Sequence, residues 1–70
     1  MKAKFTKEGS ERCGVPENTI VEFEEINHFG CAVNATIIQT ENKNQLGRVF
    51  SYLSIDGKGM YGDVGTIQLI

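Results

Sequence analysis

The sequence predicts a mainly β domain, a small five-stranded antiparallel barrel or roll, and three observations carry that prediction. Segments rich in β-branched and aromatic residues alternate apolar and polar side chains at period two. Clusters of Gly, Asn, Asp and Pro separate them at short intervals. The chain has 70 residues, which sets one domain, residues 1–70, as the ceiling, because a chain this short buries only about 60% of the surface its unfolded form exposes. Apolar residues make up 40% and charged residues 23%, a globular rather than a disordered composition.

Taken in order, "KAKFTK" (2–7) sets Ala3 and Phe5 on one parity and the lysines on the other, a strand with one wet face. "EGSERCGVPEN" (8–18) contains Gly9, Ser10, Gly14, Pro16 and Asn18 and reads as a long loop. "TIVEFEEI" (19–26) is a strand with Val21 and Phe23 on one face and Glu22 and Glu24 on the other. After the turn "NHFG", Phe29, Cys31, Val33, Ala35 and Ile37 recur at period two, which makes 19–38 an antiparallel hairpin. The small residues Cys31, Ala32 and Ala35 imply close packing over that strand or a bend in it.

"QTENKNQLG" is a polar break. "LGRVFSYLSI" then supports two readings. Leu46, Val49, Phe50 and Leu53 form the stripe of an amphipathic helix, which gives the alternative fold class, α+β with one helix at about 44–55 packed on an antiparallel sheet. As a strand, the same letters put Val49, Leu53 and Ile55 on one side and Phe50 and Tyr52 on the other. The closing "TIQLI" is a short strand expected to pair within the sheet, so that its loss unfolds the domain.

"GKGMYG" (57–62) fits G-x-G-x-x-G, but a dinucleotide fingerprint needs a helix after it and an acidic residue about twenty positions on. Only eight residues follow Gly62, so the stretch reads as a turn opened by Asp56-Gly57. Cys13, His28 and Cys31 offer three donors without a C-x-x-C knuckle, short of a zinc set. A Cys–His pair and the carboxylates Glu22, Glu24 and Glu25 lack the cleft and oxyanion donors that catalysis requires. No enzyme, metal or cofactor is expected. Net charge is −2, which disfavours polyanions, although Lys2, Lys4, Lys7 and Arg12 make the start of the chain basic beside an acidic Glu17–Glu25 region. With two cysteines, read as free thiols, and no apolar run near the start, the expected setting is the cytoplasm, with no membrane span.

From Pro16 to Ile55 the order of elements resembles an SH3-like small barrel: "ENTIVEFEEI" resembles the strand after the long first loop, "GCAVNATII" the next, and "LGRVFSYLSI" the Gly-basic-hydrophobic strand that enters a short turn. Signalling members of that family grip proline-rich peptides with tandem tryptophans and an ALYDY-like strand. This chain has no Trp and no such strand, so the resemblance implies architecture alone.

The functional expectation is a non-enzymatic protein-binding module, an accessory factor or inhibitor of the phage or mobile-element type, that occupies a surface of another protein through Glu22, Glu24, Phe50, Tyr52 and Tyr61. Two alternatives stand beside it. One is a single-stranded nucleic-acid barrel using Lys2, Lys4, Lys7 and Arg48. The other is a ligand-binding homo-oligomer with sheet edges paired between copies.

Overall fold

A computed structural model of the chain describes residues 1–57 and 65–70. Tyr61 and the Gly59–Gly62 part of the glycine motif lie outside the described residues. The elements are β1 (Lys2–Phe5), α1 (Lys7–Cys13), β2 (Ile20–Glu22), β3 (Glu25–Ile26), β4 (Cys31–Gln39), β5 (Val49–Ser54) and β6 (Ile67–Leu69). The domain is mainly β, as the alternation implies, and its antiparallel sheet curls into a half-barrel. β2 and β3 lie end to end along one edge of β4, and β5 takes the other edge; β1 follows β2, and β6 follows β1. The two ends of the sheet meet at one rim, where Ile55 bridges Ile67 in parallel. There Asp56 N–H donates to Ile67 O at 2.8 Å and Thr66 N–H to Ser54 O at 2.9 Å.

Ala3, Phe5, Val21, Phe23, Ile37, Leu53, Ile55 and Ile67 fill the interior, with Val15 and the small Ala32 and Ala35 completing it. β1 alternates as its letters require, Ala3 and Phe5 inward, Lys2 and Lys4 outward. The C-terminal strand is paired along β1 and tied to Ile55 and Asp56 on its other side, with Ile67 fully buried and Leu69 and Ile70 exposed.

The reading of 8–18 as one long loop is corrected, because its first half is α1. Thr6 caps the helix: its Oγ1 accepts from Gly9 N–H at 3.0 Å. At the far end Gly14 turns left-handed (φ 69°), and the N–H groups of Gly14 and Val15 both reach Ser10 O. Gly9 and Ser10 look like turn residues by composition, yet both are buried inside the helix. Gly9 is small because the helix lies directly on the backbone of Thr66, where a methyl group would overlap the carbonyl oxygen and stand 2.7 Å from its carbon. Local propensity yields here to a tertiary contact.

Residues 44–55 form no α-helix. A 3-10 turn covers Lys43–Gln45, with Asn42 Oδ1 accepting from Asn44 N–H, and β5 follows. The α+β alternative is therefore corrected. Ala35↔Phe50 and Val33↔Tyr52 in the ladder with β4 place these residues as strand.

The strict period two expected from Phe29 to Ile37 is also corrected. Ala32 is buried, then Ala35 and Ile37; Cys31 and Val33 are half-covered and Phe29 is exposed. The inward face changes parity at Asn34, which has φ 51°, a left-handed backbone that interrupts the alternation of side chains. Continuing the ladders puts Asn34 level with Glu24 on one side and Ser51 on the other, and pairing skips all three. The sheet bends along that line. The same bend splits residues 20–26 into β2 and β3, so the expected five-strand pattern becomes six strands among the described residues. It also explains β5, where neither expected set is exposed as a unit: Val49 and Tyr52 face solvent, Leu53 is buried and Phe50 is half-buried.

Asn34→Gly keeps the left-handed angle and will shift the melting temperature by only a few degrees. Asn34→Val must adopt it with a β-branched side chain and will lose about 2 kcal/mol, roughly 10 °C for a domain of this size. Thermal melts followed by circular dichroism compare the two, and equal melting would remove the bend from the account.

Candidate functional site

The outer face of β3, β4 and β5 brings exposed apolar and acidic side chains together. The register Glu25↔Val33 and Val33↔Tyr52 places these three residues side by side across the strands. Next to this row the turn between β3 and β4 is built by Asn27. Its Oδ1 accepts from the N–H groups of Phe29 and Cys31, both at 3.0 Å, and its carbonyl accepts from Gly30 N–H. Gly30 at φ 82° completes the reversal. Within this turn Phe29 stands 51% exposed, its ring packed on the His28 ring at 4.1 Å between centroids.

Two open depressions result. The first, about 620 Å³, is lined by Phe29, Cys31, Val33 and Tyr52 with Glu25, Asn27 and His28. The second, about 440 Å³, lies over the bend and is lined by Glu22, Glu24, Glu25, Asn34, Thr36 and Ile38 with Phe23 and Val33. Glu25 and Val33 border both, so the two form one surface, apolar toward β5 and acidic toward β2. Tyr52 is 66% exposed, next to the inward Leu53, and Val49, beyond the bend on the same strand, is 55% exposed.

Of the residues expected to bind, Glu22 and Glu24 line the acidic depression and Tyr52 the apolar one. Phe50 stands apart, half-buried, edge-on to Phe5 at 5.7 Å with the Arg48 guanidinium 4.5 Å from its ring centroid. Tyr61 lies outside the described residues. Phe29, Val33 and Ile38 join the surface although their spacing marked Phe29 and Val33 as core. The signal for Phe29 is its place in "NHFG", a turn rather than a strand segment.

The other candidate groups are dispersed. Cys13 ends α1 against the core, whereas Cys31 and His28 share the apolar depression, and both thiols are free and half-buried. Among the described residues no group of three His, Cys, Asp or Glu side chains is placed to hold a metal ion. Lys2 and Lys4 point outward from β1. Arg48 is engaged within the chain, donating to Cys13 O at 3.4 Å and Gln45 Oε1 at 3.1 Å while it covers Phe50. Among the described residues no helix is long and apolar enough to cross a membrane. Comparison with protein-family models, curated proteins and solved structures finds no match to this chain.

Proposed function

We propose that this chain is a non-enzymatic protein-binding module that works in the cytoplasm as an accessory factor or inhibitor, of the sort carried by phages and mobile elements, and docks through the outer face of β3, β4 and β5. One observation carries the reading: Phe29, Val33 and Tyr52 line one open depression with both aromatic rings at least half exposed. Burying a side chain of this kind is worth roughly 1.5–3 kcal/mol. A domain of this size has a total stability of only about 3.5–10 kcal/mol, so leaving two aromatics outside is a substantial forgone gain. Apolar clusters with polar borders are what protein interfaces require, and Tyr is enriched among the residues that dominate their binding energy. Free Cys13 and Cys31 suit a reducing compartment.

The nucleic-acid alternative draws less support. Arg48 is committed to Cys13, Gln45 and Phe50, Phe50 is half-buried, and the exposed aromatics stand beside carboxylates rather than cations.

Affinity capture with purified bait tests the docking face. Tyr52→Ser and Phe29→Ser should each leave the melting temperature within a few degrees of the parent, since both rings are largely in solvent. A protein retained by the parent chain should be lost by roughly thirtyfold on each variant, the size of one interface hot spot of about 2 kcal/mol. Ile70→Ser, exposed just past β6 at the other end of the sheet path, should retain it. Equal retention on all three variants would place the interface elsewhere.

A further inference from the structure

We infer that the segment docked on this face is cationic and extended: an apolar anchor seated between Phe29, Val33 and Tyr52, with a Lys or Arg reaching the carboxylates of Glu22, Glu24 and Glu25. The inference rests on the docking reading above and adds the chemistry of its occupant. Three facts argue for it.

The first is charge. The apolar depression is bordered by Glu25, Asn27 and His28, and Glu25 also belongs to the adjoining depression, where Glu22 and Glu24 stand beside it. A neutral segment placed there would strip water from carboxylates without replacing it, a cost that a cation offsets. The net charge of −2 adds long-range attraction for the same kind of partner.

The second is shape. Both depressions are open and run across strands, and from Glu25 on β3 to Tyr52 on β5 is two strand spacings, roughly 10 Å. An extended peptide places same-face side chains about 7 Å apart at i, i+2 and about 13 Å apart at i, i+4. The anchor and the cation should therefore be separated by two to four positions.

The third concerns the chain's own cations. Lys2 stands in register beside Glu22, and Lys4 lies farther along β1. They sit on the same curved sheet as the acidic residues, and among the described residues no exposed aromatic lies beside them, so β1 of a second copy does not present an aromatic anchor together with its cations.

Selection from a displayed library of random dodecapeptides, with the intact chain as bait, tests the inference. The bait is run in parallel as the parent, as the triple variant Glu22→Gln, Glu24→Gln, Glu25→Gln, and as Tyr52→Ser, each first shown to be folded by its melt. Peptides enriched on the parent should carry Lys or Arg two to four positions from an aromatic or aliphatic residue. Their affinity should fall roughly tenfold on the triple variant, as expected for three rim charges, and should weaken between 50 and 300 mM salt. Enriched peptides that are neutral or acidic, yet depend on Tyr52, would overturn the cationic occupant and leave the docking face standing. Enriched peptides indifferent to both variants, or no enrichment at all, would overturn both. Sedimentation of the bait as a dimer at micromolar concentration that Tyr52→Ser converts to monomer would assign the face to a second copy and also overturn the inference.

Discussion

Gly9→Ala will lower the stability of this domain by about 3 kcal/mol, and its melting temperature by roughly 15 °C, although alanine is the better helix former. Propensity alone predicts the opposite sign, a gain near 1 kcal/mol in a helix interior. Sterics decide the matter because the added methyl group meets backbone rather than a side chain that could swing aside: it overlaps Thr66 O and stands 2.8 Å from Thr66 Cα. That backbone is held on several sides. Thr66 O accepts from Thr6 N–H at 3.0 Å, Thr66 N–H donates to Ser54 O at 2.9 Å, and Thr6 Oγ1 donates to Gly65 O at 2.8 Å. Gly65→Ala should cost as much, since its methyl group would overlap Asp56 N and stand 2.6 Å from Ile55 C at the rim where the sheet ends meet. Gly14→Ala is the control. It must adopt φ 69° but has open space around it, so about 1 kcal/mol is expected. Chemical denaturation of the three variants gives the order directly, and a Gly9→Ala protein as stable as the parent would mean that α1 does not rest on Thr66.

The same glycine shows why parts of the fold were legible from the sequence and others were not. Alternation around Ala3 and Phe5, and around Val21 and Phe23, records which face each strand buries, so the strands and the mainly β class follow from local pattern. α1 does not, because its glycine and buried serine answer to a distant backbone, and nothing in residues 7–13 states that Thr66 lies above them. The bend is hidden for a related reason. Asn34 tolerates a left-handed angle, but it becomes a corner only because Glu24 and Ser51 fall on the same line across neighbouring strands. Once the bend is absent from the reading, parity assigns Phe29 and Val33 to the core and groups Phe50 with Tyr52. Glu22, Glu24 and Tyr52 were legible as surface residues. That they border one continuous face with Phe29 and Val33 depends on pairing between strands, which no single segment encodes.

Stopping the chain after Gly65 will leave it unfolded, whereas stopping after Leu69 will leave it folded with a melting temperature within several degrees of the parent. The residues removed by the first truncation include Ile67, fully buried, and losing an isoleucine from a core costs about 2–5 kcal/mol through transfer and cavity terms. With it go the pairing of β6 to β1 and the bonds from Asp56 to Ile67 and from Thr66 to Ser54, which join the two ends of the sheet. The Thr66 carbonyl that supports the start of α1 disappears as well. Each backbone bond contributes about 1 kcal/mol net, so the combined loss matches or exceeds the roughly 3.5–10 kcal/mol available to a chain of this length. Ile70 is different: it is 74% exposed, and its N–H makes one bond, to Lys2 O at 3.1 Å, worth about 1 kcal/mol at most. Far-ultraviolet circular dichroism and amide-proton dispersion distinguish the outcomes. A cooperative melt from the chain ending at Gly65 would show that the half-barrel holds without β6, and that the rim at Ile55 and Ile67 is not what keeps the curled sheet closed.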